Sequence, residues 1–221
     1  LPLLSLARTA GDFIGYVLLF RQASAAQRPS FTALRNHLQT QLDAFSRDPR
    51  TAQAPPEEVE EARFALVAWA DETILLSDWS EREEWLREPL QLRLFGTNRA
   101  GDEFFDHLAA LRPEQNLARE VYFLCLSLGF EGRYSGQDAQ RTELIRQQFE
   151  QLRAAGRAKD LSTTSPIAPP AYRVEIELRG GGGRRLWPVV AAWSAGVVAV
   201  FAALWAVLRW FGSSVSLPPG A

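Results

Sequence analysis

The residues best equipped for chemistry are two adjacent carboxylates, Asp71 and Glu72, inside the apolar stretch Phe64 to Trp85. A pair of acids can act as general acid and base, provided both converge on one bond. Neighbours on a helix point about 100° apart, so these two do not converge. The other candidates are fewer still. Cys125 sits in the apolar run VYFLCLSL and reads as a buried small hydrophobe rather than a nucleophile. His37 and His107 are the only histidines, and with one cysteine they supply no zinc set. Gly180 to Gly183 lack the Lys-Ser/Thr of a phosphate loop and read as a hinge. No nucleophile elbow or His-Glu zinc motif is present, so neither a cofactor nor a metal is expected.

An acid pair within an apolar helix is costly unless it is hydrogen-bonded or faces a wet cleft. Asp71 shares a helix face with Phe64, Val67 and Ala68, and Glu72 follows Ala65, Ala68 and Trp69. Both therefore point near packed neighbours. Two compatible roles remain open: accepting hydrogen bonds from a helix start or from an arginine such as Arg93 or Arg99, or lining a partner-binding cleft.

The elements that must position the pair are helical. Apolar residues from Leu3 to Leu18 recur at helical spacing, which predicts a first helix from Leu3 to Phe20. Ser30 caps a second, striped by Phe31, Leu34, Leu38, Leu42 and Phe45. Pro55, Pro56, Glu57 and Glu58 open a third that runs to Leu76. A short helix is predicted over Glu84 to Leu94, with Pro89 at its start or kinking it. Further helices are predicted from Gly101 or Asp102 to Leu111, over Leu117 to Leu128, and around Leu144 to Leu152.

Composition changes after Ala154. Residues 155–185 read as a Pro/Ser/Gly-rich linker. Leu186 to Leu208 carries no charge and is long enough to cross a bilayer, so residues 186–211 are predicted to be a transmembrane helix. Arg173, Arg179, Arg184 and Arg185 precede this span and only Arg209 follows it, which puts the N-terminal head (1–154) in the cytoplasm and the tail 212–221 in the periplasm. Ala191, Ala195, Ala199 and Ala203 form a small-residue stripe suited to helix packing and self-association in the membrane. The formal charge of −2 over 221 residues argues against a nucleic-acid partner. The prediction is an all-α protein, a cytoplasmic head of small helical bundles plus one C-terminal transmembrane helix.

Three motifs carry a resemblance. Ala70-Asp71-Glu72 is followed seven residues on by Trp79. Gly96 precedes Gly101-Asp102-Glu103-Phe104-Phe105. The third block runs from Leu124 to Tyr134, LCLSLGFEGRY, and includes Gly129, Phe130, Glu131 and Gly132. In order and spacing these resemble the DotU/TssL (IcmH/DotU) family of type VI secretion. The chain departs from that family at Arg99-Ala100-Gly101-Asp102, where a Trp-Gly-Gly-Glu run is frequent, and at Phe95, where a His is common.

The resemblance implies a head of two three-helix bundles with a cleft between them, to which Asp71, Glu72 and Trp79 would belong. It further implies a non-enzymatic scaffold of the inner-membrane complex. Its partners would be an IcmF/TssM-type protein, a TssJ-type lipoprotein and a TssK-type baseplate subunit. The competing expectation is a membrane-tethered sensor or enzyme that uses Asp71 and Glu72 for chemistry.

Overall fold

The computed structural model of the chain describes residues 4–157, which lie within one compact unit. Among the described residues there are nine α-helices and no strand: α1 (Leu6–Thr9), α2 (Gly11–Gln22), α3 (Phe31–Arg47), α4 (Pro56–Leu75), α5 (Arg82–Arg87), α6 (Leu90–Phe95), α7 (Ala100–Ala110), α8 (Asn116–Ser127) and α9 (Asp138–Ala154). The predicted span over 186–211 with its alanine stripe, the tail 212–221 and all but the first residues of the 155–185 linker lie outside the described residues. No helix among the described residues is long and apolar enough to cross a membrane.

Helix α4 is the axis of the fold. Its stretch from Phe64 to Asp71 is buried on every side, and Ile74 is buried below it. A helical stretch with no solvent face has to be central, because an outer one would leave apolar surface in water. Helices α1, α2, α5, α6, α7 and α8 all pack on it, α3 packs on α2, and α9 packs on α8. The buried apolar side chains other than Leu152 form one continuous cluster among the described residues. Each fully buried Leu, Val or Phe contributes roughly 1.5–3 kcal/mol, and several of them on α4 outweigh the burial of its acids.

Two of the expected elements are corrected. The predicted helix from Leu3 to Phe20 is broken into α1 and α2 at Ala10, whose ψ of 4° leaves the helical range. Gly11 follows directly, and its low helix propensity makes this the easiest place to interrupt the run. The predicted helix from Glu84 to Leu94 is likewise two, α5 and α6. Pro89 takes an extended backbone (φ −68°, ψ 161°) and cannot donate to a continuing helix. Helix α6 then ends at Gly96, which adopts the left-handed φ of 67° that a side chain would resist.

The first described residues beyond α9 are fastened back to α8 and to the start of the described residues. Arg157, just beyond α9, donates from Nε to the buried Glu120 of α8 and from Nη2 to the carbonyl of Leu4.

Candidate functional site

Among the helical starts with no side-chain cap of their own are four that meet acceptors from remote segments: α6, α7, α8 and the short 3-10 turn Gly132–Tyr134. Their free N–H groups must find acceptors elsewhere. Three of the acceptors come from α4. Glu58 Oε2 accepts from Leu117 N at 2.8 Å and Ala118 N at 3.0 Å, which opens α8. Asp71 accepts from Leu90 N at 3.1 Å and Gln91 N at 2.8 Å, which opens α6. Glu72 accepts from Glu131 N at 2.8 Å and Gly132 N at 2.7 Å, which opens the turn. The fourth start is capped in relay, since Gln91 Oε1 accepts from Ala100 N at 2.9 Å to open α7. Glu81 adds a fifth remote cap by accepting from Phe31 N, the first residue of α3.

These carboxylates are remote N-caps. Each places negative charge at a helix start, where the partial positive charge of the backbone favours it. Asp71 takes a further hydrogen bond from Trp85 Nε1 at 2.9 Å. Burial pushes its carboxyl up to about 7, against the opposing pull of the three donors. Burial also raises Glu72, again against its two backbone donors.

The cleft residues expected from the sequence therefore occupy different places. Asp71, 1 % exposed, and Trp79, 4 % exposed, lie within the core. Trp79 donates from Nε1 to Pro29 O at 3.1 Å and meets Phe20 and Trp85 edge to face. Its work is to hold the segment before α3 against α2 and α5. Glu72 alone of the three reaches a surface recess, of about 400 Å3, which it lines with Arg21, Arg28, Leu76, Asp78 and Leu128. Leu76 stands 72 % exposed at the rim. Arg21 donates to Leu128 O at 2.9 Å across the recess, and Arg28 pairs with Asp78. Neither Arg93 nor Arg99 serves the acid pair: Arg93 lies nearest Glu88 and Arg99 nearest Asp102.

The motif residues build one aromatic packing unit under the Glu72 turn. Phe104 contacts Tyr122 and Phe130, and Phe105 contacts Tyr134 edge to face at 4.7 Å. Gly101 and Gly132 approach so closely that a Cβ on Gly132 would lie 2.3 Å from Gly101 O, and Gly132 also has a φ of 46°. Asp102 offers its carbonyl to Arg133, and Glu131 accepts from Ser135. Gly129 turns the chain out of α8 at a φ of 104°.

The remaining chemical candidates are structural in their surroundings. Cys125 is fully buried, which pushes its thiol far above the usual range and away from the thiolate a nucleophile needs. His107 lies 3.1 Å from Glu61 and stacks on Phe64, while Tyr122 donates to the same Glu61 at 2.7 Å. His37 packs at a tilt against Tyr16. Among the described residues no cluster of His, Cys, Asp or Glu could hold a metal ion.

Sequence reasoning placed Asp71 and Glu72 at packed positions but missed Glu58, Glu120 and Arg119 as buried charges. The only local signal for Glu58 was its place in the first turn of α4. That turn accounts for an acid there but not for its burial.

Comparison with known proteins agrees with the geometry. A family model described as type VI secretion system protein DotU matches residues 5–211. Among solved structures, the cytoplasmic domain of TssL from Acinetobacter baumannii is similar, with 26 % sequence identity and a TM-score of 0.63. The match covers 69 % of this chain and 99 % of that one. No curated protein matches.

Proposed function

Given that the chain belongs to the DotU family, whose members are components of the type VI secretion membrane complex, we propose that it is a non-enzymatic scaffold subunit. In this reading it anchors the complex in the inner membrane and docks the cytoplasmic baseplate. The head, residues 1–154, faces the cytoplasm. Residues 155–185 link it to a single span over 186–211, and the tail 212–221 is periplasmic. The family match supports the anchor because it runs on through residue 211, taking in the uncharged stretch from Leu186 to Leu208.

One observation carries the scaffold reading: the most chemistry-capable residues of the chain are spent on four backbone amides and one indole N–H. Asp71 and Glu72 together accept five N–H bonds from three separate segments. A carboxylate so engaged holds parts together and is poorly placed to exchange protons with a substrate. The docking surface then falls to the recess beside Glu72, with Leu76 as its apolar rim and Arg21, Arg28 and Asp78 as its charged wall. An IcmF/TssM-type protein and a TssK-type baseplate subunit are the partners proposed for the chain, with a TssJ-type lipoprotein in the same assembly. Ala191, Ala195, Ala199 and Ala203 are proposed to serve packing or self-association in the membrane.

The test is co-purification of the full chain, extracted in mild detergent, with an IcmF/TssM-type partner from a strain that has one. Consistent failure to bring that partner down would sink the proposal. A hydrolytic activity lost on Asp71→Asn would favour the enzyme reading instead.

A further inference from the structure

Under α9 runs a groove that neither the remote caps nor the Glu72 recess touches. Its main part is a cavity of about 720 Å3 between the end of α7, the start of α8 and the last turns of α9. Phe105, Leu108, Leu111 and Leu144 give it an apolar wall. A second depression, lined by Ala139, Gln140 and Glu143, shares Tyr134, Leu144 and Gln147 with the first. The groove therefore follows α9 from Ala139 to Ala155. At 1.5 Å per helical residue that is roughly 20–25 Å, enough for about six or seven extended residues.

The wall contains an unneutralised cation. Arg119 is 4 % exposed. Its Nη1 donates to Gln148 Oε1 at 2.8 Å, and its Nη2 to the carbonyls of Leu111 at 3.1 Å and Arg112 at 3.3 Å. All three acceptors are neutral, and a guanidinium carries five donors. A buried charge is costly unless an opposite charge meets it, and burial holds Arg119 below its ordinary pKa. The neighbouring residue on α8 shows the contrast, since buried Glu120 has Arg157 as its partner.

We propose that this groove docks an extended peptide segment of another protein, which carries one carboxylate between apolar side chains and sets that carboxylate on Arg119. Charge complementarity selects the acid. The elongated apolar wall selects a chain segment over a compact solute. Asn116, Gln147 and Gln151 line the same groove and offer both donors and acceptors, which suits a peptide backbone. The proposal is independent of the Glu72 recess.

The test presents a displayed library of random heptapeptides to the full chain in detergent micelles. Selected peptides should share an Asp or Glu flanked by Leu, Ile or Phe. Changing that acid to its amide should weaken binding at least about tenfold, and Arg119→Gln should do the same. Because Arg119 is buried and its loss could harm folding, the second variant is Gln147→Glu with Gln151→Glu. It alters only exposed side chains and should repel the peptide to a similar extent. Peptides that carry no acid, or that bind this double variant as well as the parent, overturn the proposal. A tenfold gain in affinity on changing Asp160, Glu175 and Glu177 to amides also overturns it, because the occupant is then this chain's own C-terminal segment.

Discussion

Asp71 and Glu72 are consecutive on α4, yet they hold different parts of the chain. Asp71 fastens the start of α6 through Leu90 and Gln91, and Glu72 fastens the turn at Glu131 and Gly132. The angular offset that keeps the two acids from converging on one bond lets them reach two segments at once. A single helix thereby sets the position of two surfaces relative to each other.

Asp71→Asn should lower stability by about 1–3 kcal/mol, because the amide NH2 cannot replace an oxygen that accepts N–H bonds. The penalty should depend on pH. The folded carboxyl is raised to about 7, above the ordinary value of about 3.9 in the unfolded chain. Its stabilising contribution is complete below about pH 4 and is lost as pH rises through about 7. Urea denaturation of parent and variant at pH 5 and pH 8 should show the larger gap at pH 5. A gap that widens with pH would mean that the three donors outweigh burial.

Gly132→Ala should destabilise the head by about 1–3 kcal/mol. The new methyl meets Gly101 O and the backbone sits at a φ of 46°, so the turn must move away from Glu72. A fall in melting temperature of several degrees is the readout. Gly136→Ala, also at positive φ but with open space around it, should cost less.

Glu58→Gln keeps the shape of the remote cap on α8 and removes its charge. Since Leu117 N and Ala118 N share one oxygen of Glu58, we expect a loss of about 0.5–2 kcal/mol. Chemical denaturation checks this, and a change of binding to any partner is not expected.

Leu76→Glu should behave in the opposite way. Leu76 is 72 % exposed at the rim of the recess, so melting should stay within about 0.5 kcal/mol of the parent. Co-purification with the proposed IcmF/TssM-type or TssK-type partner should weaken. Unchanged recovery of both would remove the recess from the docking surface.

The helices were legible because periodicity is a local signal. The stripe from Phe31 to Phe45 and the apolar run of α4 both survive as buried faces. The break at Ala10 was not legible, since the apolar spacing continues across it without a proline. The remote caps were hidden for a different reason. Glu58 and Glu72 each bond to amides 59 and 60 residues further along, and no spacing rule links residues so far apart. The motif blocks could still be recognised as a pattern, although their physical roles were not. Gly132 and Gly101 are explained only once their close approach is seen.

The bond network of Arg157 decides how the head would answer tension. A pull transmitted from residues beyond Arg157 meets its bonds before it reaches α9, since Arg157 is tied to Glu120 in α8 and to Leu4 ahead of α1. The load then enters α8, which packs on α4, and spares α9 from being peeled away one turn at a time. Only Gln148 and Leu152 of α9 are buried, so without that clasp α9 would be the first part to yield.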